Sequence, residues 1–203
     1  MTNLLLFSLS DFFEHENTKE LILEEINKFS CYKSSDNDPD IEYFLKNKSF
    51  EKHNNSTAKT YLLLDESEYN NGNLRIVAFF ALALKVLDVS TMSKSAKDKA
   101  FKEYDNRRNI NYIPAYLIGQ LAKNDSYKTS VCGEEIFNHA IYQIHEINKL
   151  IGCDIVMLDC TEDLRDRFYM KKIKNFTEVS VESEPTEKRK LVTLFTRLSY
   201  FIK

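Results

Sequence analysis

The chain is poor in the residues that punctuate or cross-link a fold. Its 203 residues include three prolines and four glycines, so no Pro/Gly-rich linker divides it, and no internal repeat is visible. Four cysteines, Cys31, Cys132, Cys153 and Cys160, form no C-x-x-C pair and no metal-ligand spacing with the four histidines. That pattern predicts reduced thiols and no metal site. No apolar run approaches the ~20 residues of a membrane span, because Asp88, Asp154 and similar residues interrupt each one. The opening MTNLLLFSLSDFFEHE lacks a basic leader and a small-residue cleavage site, so it does not read as a signal peptide. The expectation is a cytoplasmic protein with no membrane partner.

What remains is enough for a core. Hydrophobic residues make up 43% of the chain and aromatic ones 12%, which excludes wholesale disorder. The length predicts a single domain over 1–203. Charge is unevenly spread. Residues 1–70 hold 14 acids and 7 bases, the rest 17 acids and 21 bases, so the second part can receive an anionic ligand.

Periodicity orders the elements. After a short opening strand, 19–29 places Leu21, Ile22, Ile26 and Phe29 at helical spacing, and 38–52 repeats this with Ile41, Phe44, Leu45 and Phe50. Asp38 or Asp40 can cap the second helix, with Pro39 near its first turn. Residues 60–66 and 74–89 read as a hairpin around the turn-rich EYNNGN. A polar, lysine-rich helix is expected over 93–108, and a strand over 112–124. A polar loop follows at 125–133, then an amphipathic helix over 134–151 on Phe137, Ile141, Ile144, Asn148 and Ile151. A buried strand at 154–160 and a helix at 162–173 come next, then strands at 175–182 and 190–201 joined by an SEPTEK turn. The class is α/β.

The stretch with the most chemistry is strand, loop and helix over 112–151. A helix N-terminus presents unpaired amides and a positive dipole end, so it can hold a phosphate. The loop before this one supplies Lys128, Thr129 and Ser130, and Gly133 permits close backbone approach. Taken alone, a plain strand-to-helix connection explains the loop as well.

The ordered set adds weight. QLAKNDSYKTSVCGEEIFNHAI, then DIVMLDC, then RFYMKKIKNF resembles the acetyl-CoA-binding core of the GNAT superfamily of N-acetyltransferases. That family carries a Q/R-x-x-G-x-G/A loop. Here the loop is KTSVCG, with Lys128 at the Gln/Arg position, Gly133 at the last position and Val131 in place of the middle glycine. Phe168 to Phe176 resembles the family's L/F-Y-x-K-x-G-F signature with two residues inserted and Asn175 where glycine is usual. From residue 38 to 201 the chain is similar to the branch that holds toxin–antitoxin acetyltransferase toxins and related bacterial and phage acetyltransferases.

The resemblance implies a GNAT fold, a mixed, mostly antiparallel sheet splayed at its central parallel strand pair and flanked by helices. Residues 1–58 would form the helical acceptor side, and 59–203 the sheet and acetyl-CoA core. It implies acetyl-CoA as co-substrate, held by Leu121, Ala122 and Lys123 at the strand end and by Lys128, Thr129, Ser130, Val131, Cys132 and Gly133 in the loop. Tyr169 would be the acid that protonates the departing thiolate. The acceptor amine attacks directly, so no covalent nucleophile is required. The acidic N-terminal third suits a cationic acceptor, with aminoacyl-tRNA as the alternative. The resemblance also admits a homodimer and an antitoxin-like partner protein. A non-catalytic GNAT domain that binds a protein partner is a further alternative, on account of Val131.

Plainer readings stand beside these. Tyr169 next to Phe168 also reads as a packing tyrosine, with the catalytic role favoured by its position. Cys132 at a helix start can be a reactive thiol, though no histidine pattern accompanies it. His139 and His145 read as solvated, and Cys153 and Cys160 as buried. Asp159 and Glu162 can meet an amine or cap a helix, and Glu42, Glu51 and Glu66 are undistinguished candidate bases. Lys94, Lys97, Lys99, Lys102, Arg107 and Arg108 form either an RNA-facing cluster or a solvated charged helix.

Overall fold

The computed structural model describes residues 2–14, 16–31, 39–179 and 191–202. Strand β1 (Leu4–Ser8) leads through a 3-10 turn into helix α1 (Glu16–Lys28). Helix α2 (Pro39–Tyr43), a π-helical turn over Phe44–Lys48 and helix α3 (Ser49–Asn54) follow. Strands β2 (Lys59–Asp65) and β3 (Ile76–Asp88) flank the short helix α4 (Glu66–Asn70). Helix α5 (Lys94–Ala100) precedes β4 (Tyr112–Lys123), and α6 (Gly133–Asn148) precedes β5 (Ile155–Thr161). Helix α7 (Glu162–Leu164) continues as a π-helix over Arg165–Ile173, before β6 (Thr177–Val179) and β7 (Leu191–Arg197). The expected Asp38 cap and SEPTEK turn lie outside the described residues.

The strands form one sheet in the order β1-β2-β3-β4-β5-β7-β6. The pairs β1·β2, β2·β3, β5·β7 and β6·β7 are antiparallel. The pair β4·β5 is parallel, registered at Tyr116↔Val156 and Leu117↔Met157. This is a mixed α/β sheet with the central parallel pair that the resemblance implies.

The chain divides into two compact units, Met1–Ala83 with Ile118–Ile144, and Leu84–Leu117 with His145–Lys203. In the first, Ile22 and Ile26 of α1 and Phe29 just after it pack with Leu45, Leu62, Leu64, Phe79 and Ala122. The Phe29 ring meets Phe79 edge-on at 5.5 Å. In the second, Phe101 stacks on Phe195 at 5.5 Å, within a core of Leu87, Ile113, Ala115, Ile155 and Met157. Each such burial contributes about 1.5–3 kcal/mol.

Several expectations need correction. Leu21 is exposed, because α1 buries the Ile22–Ile26–Phe29 stripe. Phe50 is exposed too. The π-helical turn before α3 adds a residue to the turn and shifts the helical phase, so Ser49 and His53 take the buried positions instead. The EYNNGN turn is partly helical, because the Asp65 carboxylate caps α4 by accepting from the Ser67 and Glu68 amides (2.9 and 3.3 Å). The long polar helix over 93–108 stops at Ala100. Helix α6 stops at Asn148, which leaves Ile151 exposed.

Candidate functional site

The residues expected to hold the cofactor lie in the first unit, and Tyr169 lies in the second. The strand end is fixed before the loop begins. The Asn124 amide donates to the Val77 carbonyl (2.8 Å) and its side-chain amide to Ile76 (2.9 Å). Asn124 also caps the following 3-10 turn by accepting from the Ser126 amide at 3.1 Å. The Asp125 amide donates to Ser30 at 2.7 Å.

Within the loop, the Lys123 ammonium donates to the carbonyls of Lys128 (2.9 Å) and Val131 (2.7 Å). One cation thus clamps the turn from inside. Lys128, Thr129, Ser130 and Cys132 are exposed, Leu121 is half-buried and Ala122 is buried. Val131 turns its side chain into the protein, 4% exposed. None of residues 128–133 has a positive φ, so Val131 asks for none of a glycine's backbone freedom. The valine fills a core position and does not project from the loop. Gly133 opens the 16-residue helix α6, whose first amides and dipole face the loop. Glu134 and Glu135 occupy the first turn and counter part of that positive end. The ammonium of Lys123 and the exposed Lys128 offset them, so the residues present fit an anionic group bound through backbone amides.

Sequence reading missed Gln120. Its side-chain oxygen is buried on β4 without a donor among the described residues. Such an acceptor is costly unless a ligand donor meets it, and one glutamine in an apolar strand gives no motif to find it by.

In the second unit, Tyr169 lies inside the π-helix and is 5% exposed. Its ring meets Phe168 at 5.0 Å and Phe176 at 5.2 Å, both edge-on. Burial raises the phenol pKa well above its ordinary value, and Cys160 beside it raises it further. Burial likewise pushes the Cys160 thiol up to about 12. At neutral pH both groups keep their protons. The helix ends at Lys174, whose amide donates to the Tyr169 carbonyl at 2.8 Å. Lys174 (φ 65, ψ 179) and Asn175 (φ 62) both have left-handed φ. Asn tolerates this geometry. Lysine does not, since its ψ falls where glycine alone is at ease.

The other candidates are occupied. Asp159 accepts from Thr193 (2.6 Å) and Lys85 (3.3 Å), and the cap of α7 is Thr161, not Asp159 or Glu162. Glu42 pairs with Lys46 at 2.6 Å and accepts from the Cys31 amide at 3.2 Å. Glu51 lies 4.0 Å from Lys48, and Glu66 accepts from Asn3 at 2.9 Å. The basic cluster is largely structural. Lys97 is buried and donates to the Ile110 carbonyl (2.6 Å), while Arg107 and Arg108 share Asp98. His139 and His145 are half-buried rather than solvated. No cluster of His, Cys, Asp and Glu able to hold a metal occurs among the described residues, and no helix among them is long and apolar enough to cross a membrane.

No protein-family model and no curated protein matches the chain. Solved structures do. The chain is similar to AtaT complexed with acetyl-methionyl-tRNAfMet, with TM-score 0.67 and 16% identity over 98% of this chain and 96% of that one. It is similar to a Tyr-to-Phe variant of KacT, with TM-score 0.67 and 16% identity over 99% and 98%. It is also similar to a Tyr-to-Phe variant of the AtaT toxin bound to acetyl-CoA and the C-terminus of the antitoxin AtaR, with TM-score 0.64 and 16% identity over 98% and 95%. Likeness this extensive at such low identity is likeness of fold, and the fold is the GNAT fold that the sequence resemblance implies.

Proposed function

We propose that this chain is an acetyl-CoA-dependent N-acetyltransferase, and that its acceptor is the amine of an aminoacyl-tRNA. The observation that carries the reading is the fold likeness, across 98% of the chain, to AtaT complexed with acetyl-methionyl-tRNAfMet. The backbone amides of Leu121, Ala122 and Lys123 and of the 128–133 loop hold the pantetheine and pyrophosphate, save those of Lys128 and Ser130, which donate to the Asp125 and Tyr127 carbonyls. The neutral amine attacks the thioester carbonyl, the C–S bond breaks, and the thiolate takes the Tyr169 phenolic proton. The amine surrenders a proton to solvent, and the phenolate is reprotonated. The chain acts in the cytoplasm, where tRNA is charged, and a partner protein neutralises it.

The test is transfer of label from acetyl-CoA to charged tRNA by the purified protein, beside uncharged tRNA, a polyamine and a lysine peptide. Label on charged tRNA alone supports the reading. Label on the polyamine or peptide instead retains the transferase and moves the acceptor to the cationic class that the acidic N-terminal third suits.

A further inference from the structure

Strand β1 ends the sheet on its side, and it carries none of the charges, prolines or bulges that often protect an edge. Its five residues, Leu4–Ser8, carry no charge and no proline. Its register with β2 runs from Leu4↔Asp65 to Ser8↔Tyr61 without a bulge. The Glu66 amide donates to the Asn3 carbonyl at 3.0 Å. In an antiparallel pair the facing groups alternate, so Leu5 and Phe7 also turn their peptide groups toward β2. Leu4, Leu6 and Ser8 turn theirs to the open edge. The Ser8 amide is taken by the Asp11 carboxylate at 2.8 Å, which leaves, among the described residues, the peptide groups of Leu4 and Leu6 on the edge.

Beside this edge lies a groove of about 720 Å³. Leu4–Leu6 form one wall, and Glu135, Asn138, His139 and Tyr142 of α6 form the other. Those four positions make one helix stripe. Tyr142 is 58% exposed. The groove also includes Cys132 and Glu134 and, among the described residues, has no lysine or arginine in its lining. Burial lowers the His139 pKa, so that imidazole adds no positive charge to the groove at neutral pH.

We propose that this groove docks an extended basic segment of a partner protein, which adds a strand to β1. Its backbone pairs with Leu4 and Leu6, its lysines or arginines face Glu134 and Glu135, and its apolar side chains lie against the leucines and Tyr142. The strand spacing of about 4.8 Å sets the lateral room such a segment needs. The surface lies within the first unit and adjoins the 128–133 loop at Cys132.

The experiment titrates the full chain with a short blocked peptide of alternating lysine and valine, and maps amide shifts by NMR. Binding is expected, with shifts confined to Leu4–Ser8 and to α6 between Glu134 and Tyr142. An alternating glutamate and valine peptide should bind at least about tenfold more weakly. N-methylation of every second residue should abolish binding, since it removes the pairing amides. Glu135→Lys should reverse the charge preference, with Glu135→Gln as the milder variant and thermal melting as the check on folding. Equal affinity for both charges, indifference to N-methylation, shifts elsewhere, or no binding at millimolar peptide would each overturn the proposal. So would a concentration-dependent doubling of mass lost in Glu135→Lys, which would make the edge a contact between copies of the chain.

Discussion

The loop at 123–133 and the segment at 160–176 solve opposite problems. The loop offers backbone. Its φ values are ordinary, its side chains at 128–130 and 132 are exposed, and one lysine holds two of its carbonyls. The segment offers one side chain. It buries Tyr169 among Phe168, Phe176 and Cys160, and it ends on two consecutive left-handed residues. On the proposed function, a site made of amides would tolerate changed side chains, so KTSVCG can depart from the loop of the family it resembles. A site made of one hydroxyl does not tolerate its loss.

The sharpest way to break this contrast is Tyr169→Phe. Acetyl transfer should fall by about 10²–10⁴-fold, while acetyl-CoA affinity changes little and the melting temperature stays close to wild type. If steady-state rates are unchanged, Tyr169 is a packing residue and the acid lies elsewhere. Val131→Gly tests the other half. Restoring the family's glycine removes a buried side chain and adds backbone entropy, so it should cost about 3 kcal/mol without tightening acetyl-CoA binding. A tighter complex in denaturation and binding assays would show that the valine obstructs the loop.

Smaller effects sharpen the same comparison. Lys174→Gly should raise stability by about 1 kcal/mol, because glycine accepts the backbone angles that lysine adopts under strain. Urea denaturation checks it, and a fall in stability would contradict it. Acidification should loosen the first unit. Burial lowers the pKa of both His53 and His139 below the ordinary 6.5, and Lys59 lowers His53 further. Protonation therefore favours the unfolded state. The stability these groups contribute is full above about pH 6.5 and is lost as pH falls through the folded values. Hydrogen exchange at about pH 7.5 and about pH 5.5 should show faster opening around Thr60 and α6 at the lower value. Unchanged protection there would refute it.

Much of the fold was legible because its strands are apolar runs bounded by polar ones and its helices carry 3–4 spacing. Ile22, Ile26, Phe29, Phe137, Ile141 and Ile144 are all buried as that spacing requires. What periodicity could not show were departures from the regular helix. The π-helical turn at Phe44–Lys48 exchanges Phe50 for His53, and no residue type announces it. Charge was misleading in the same way. Lys97 reads as a solvated lysine, yet its ammonium is drawn in by the Ile110 carbonyl and the Asn111 side chain. At the site, Asn175 was legible as a left-handed residue. The strain at Lys174, the burial of Tyr169 and the orphaned oxygen of Gln120 follow from packing, which a single sequence does not record.

The central claim is that the 128–133 loop, valine included, holds acetyl-CoA through its backbone. Titration calorimetry of acetyl-CoA into the wild-type chain, with thermal melting alongside, tests it most directly. The account predicts specific binding and a stabilisation of about 2.7 kcal/mol at a hundredfold excess over the dissociation constant. No heat and no shift at millimolar acetyl-CoA would contradict it, and would leave a GNAT fold used for binding other partners.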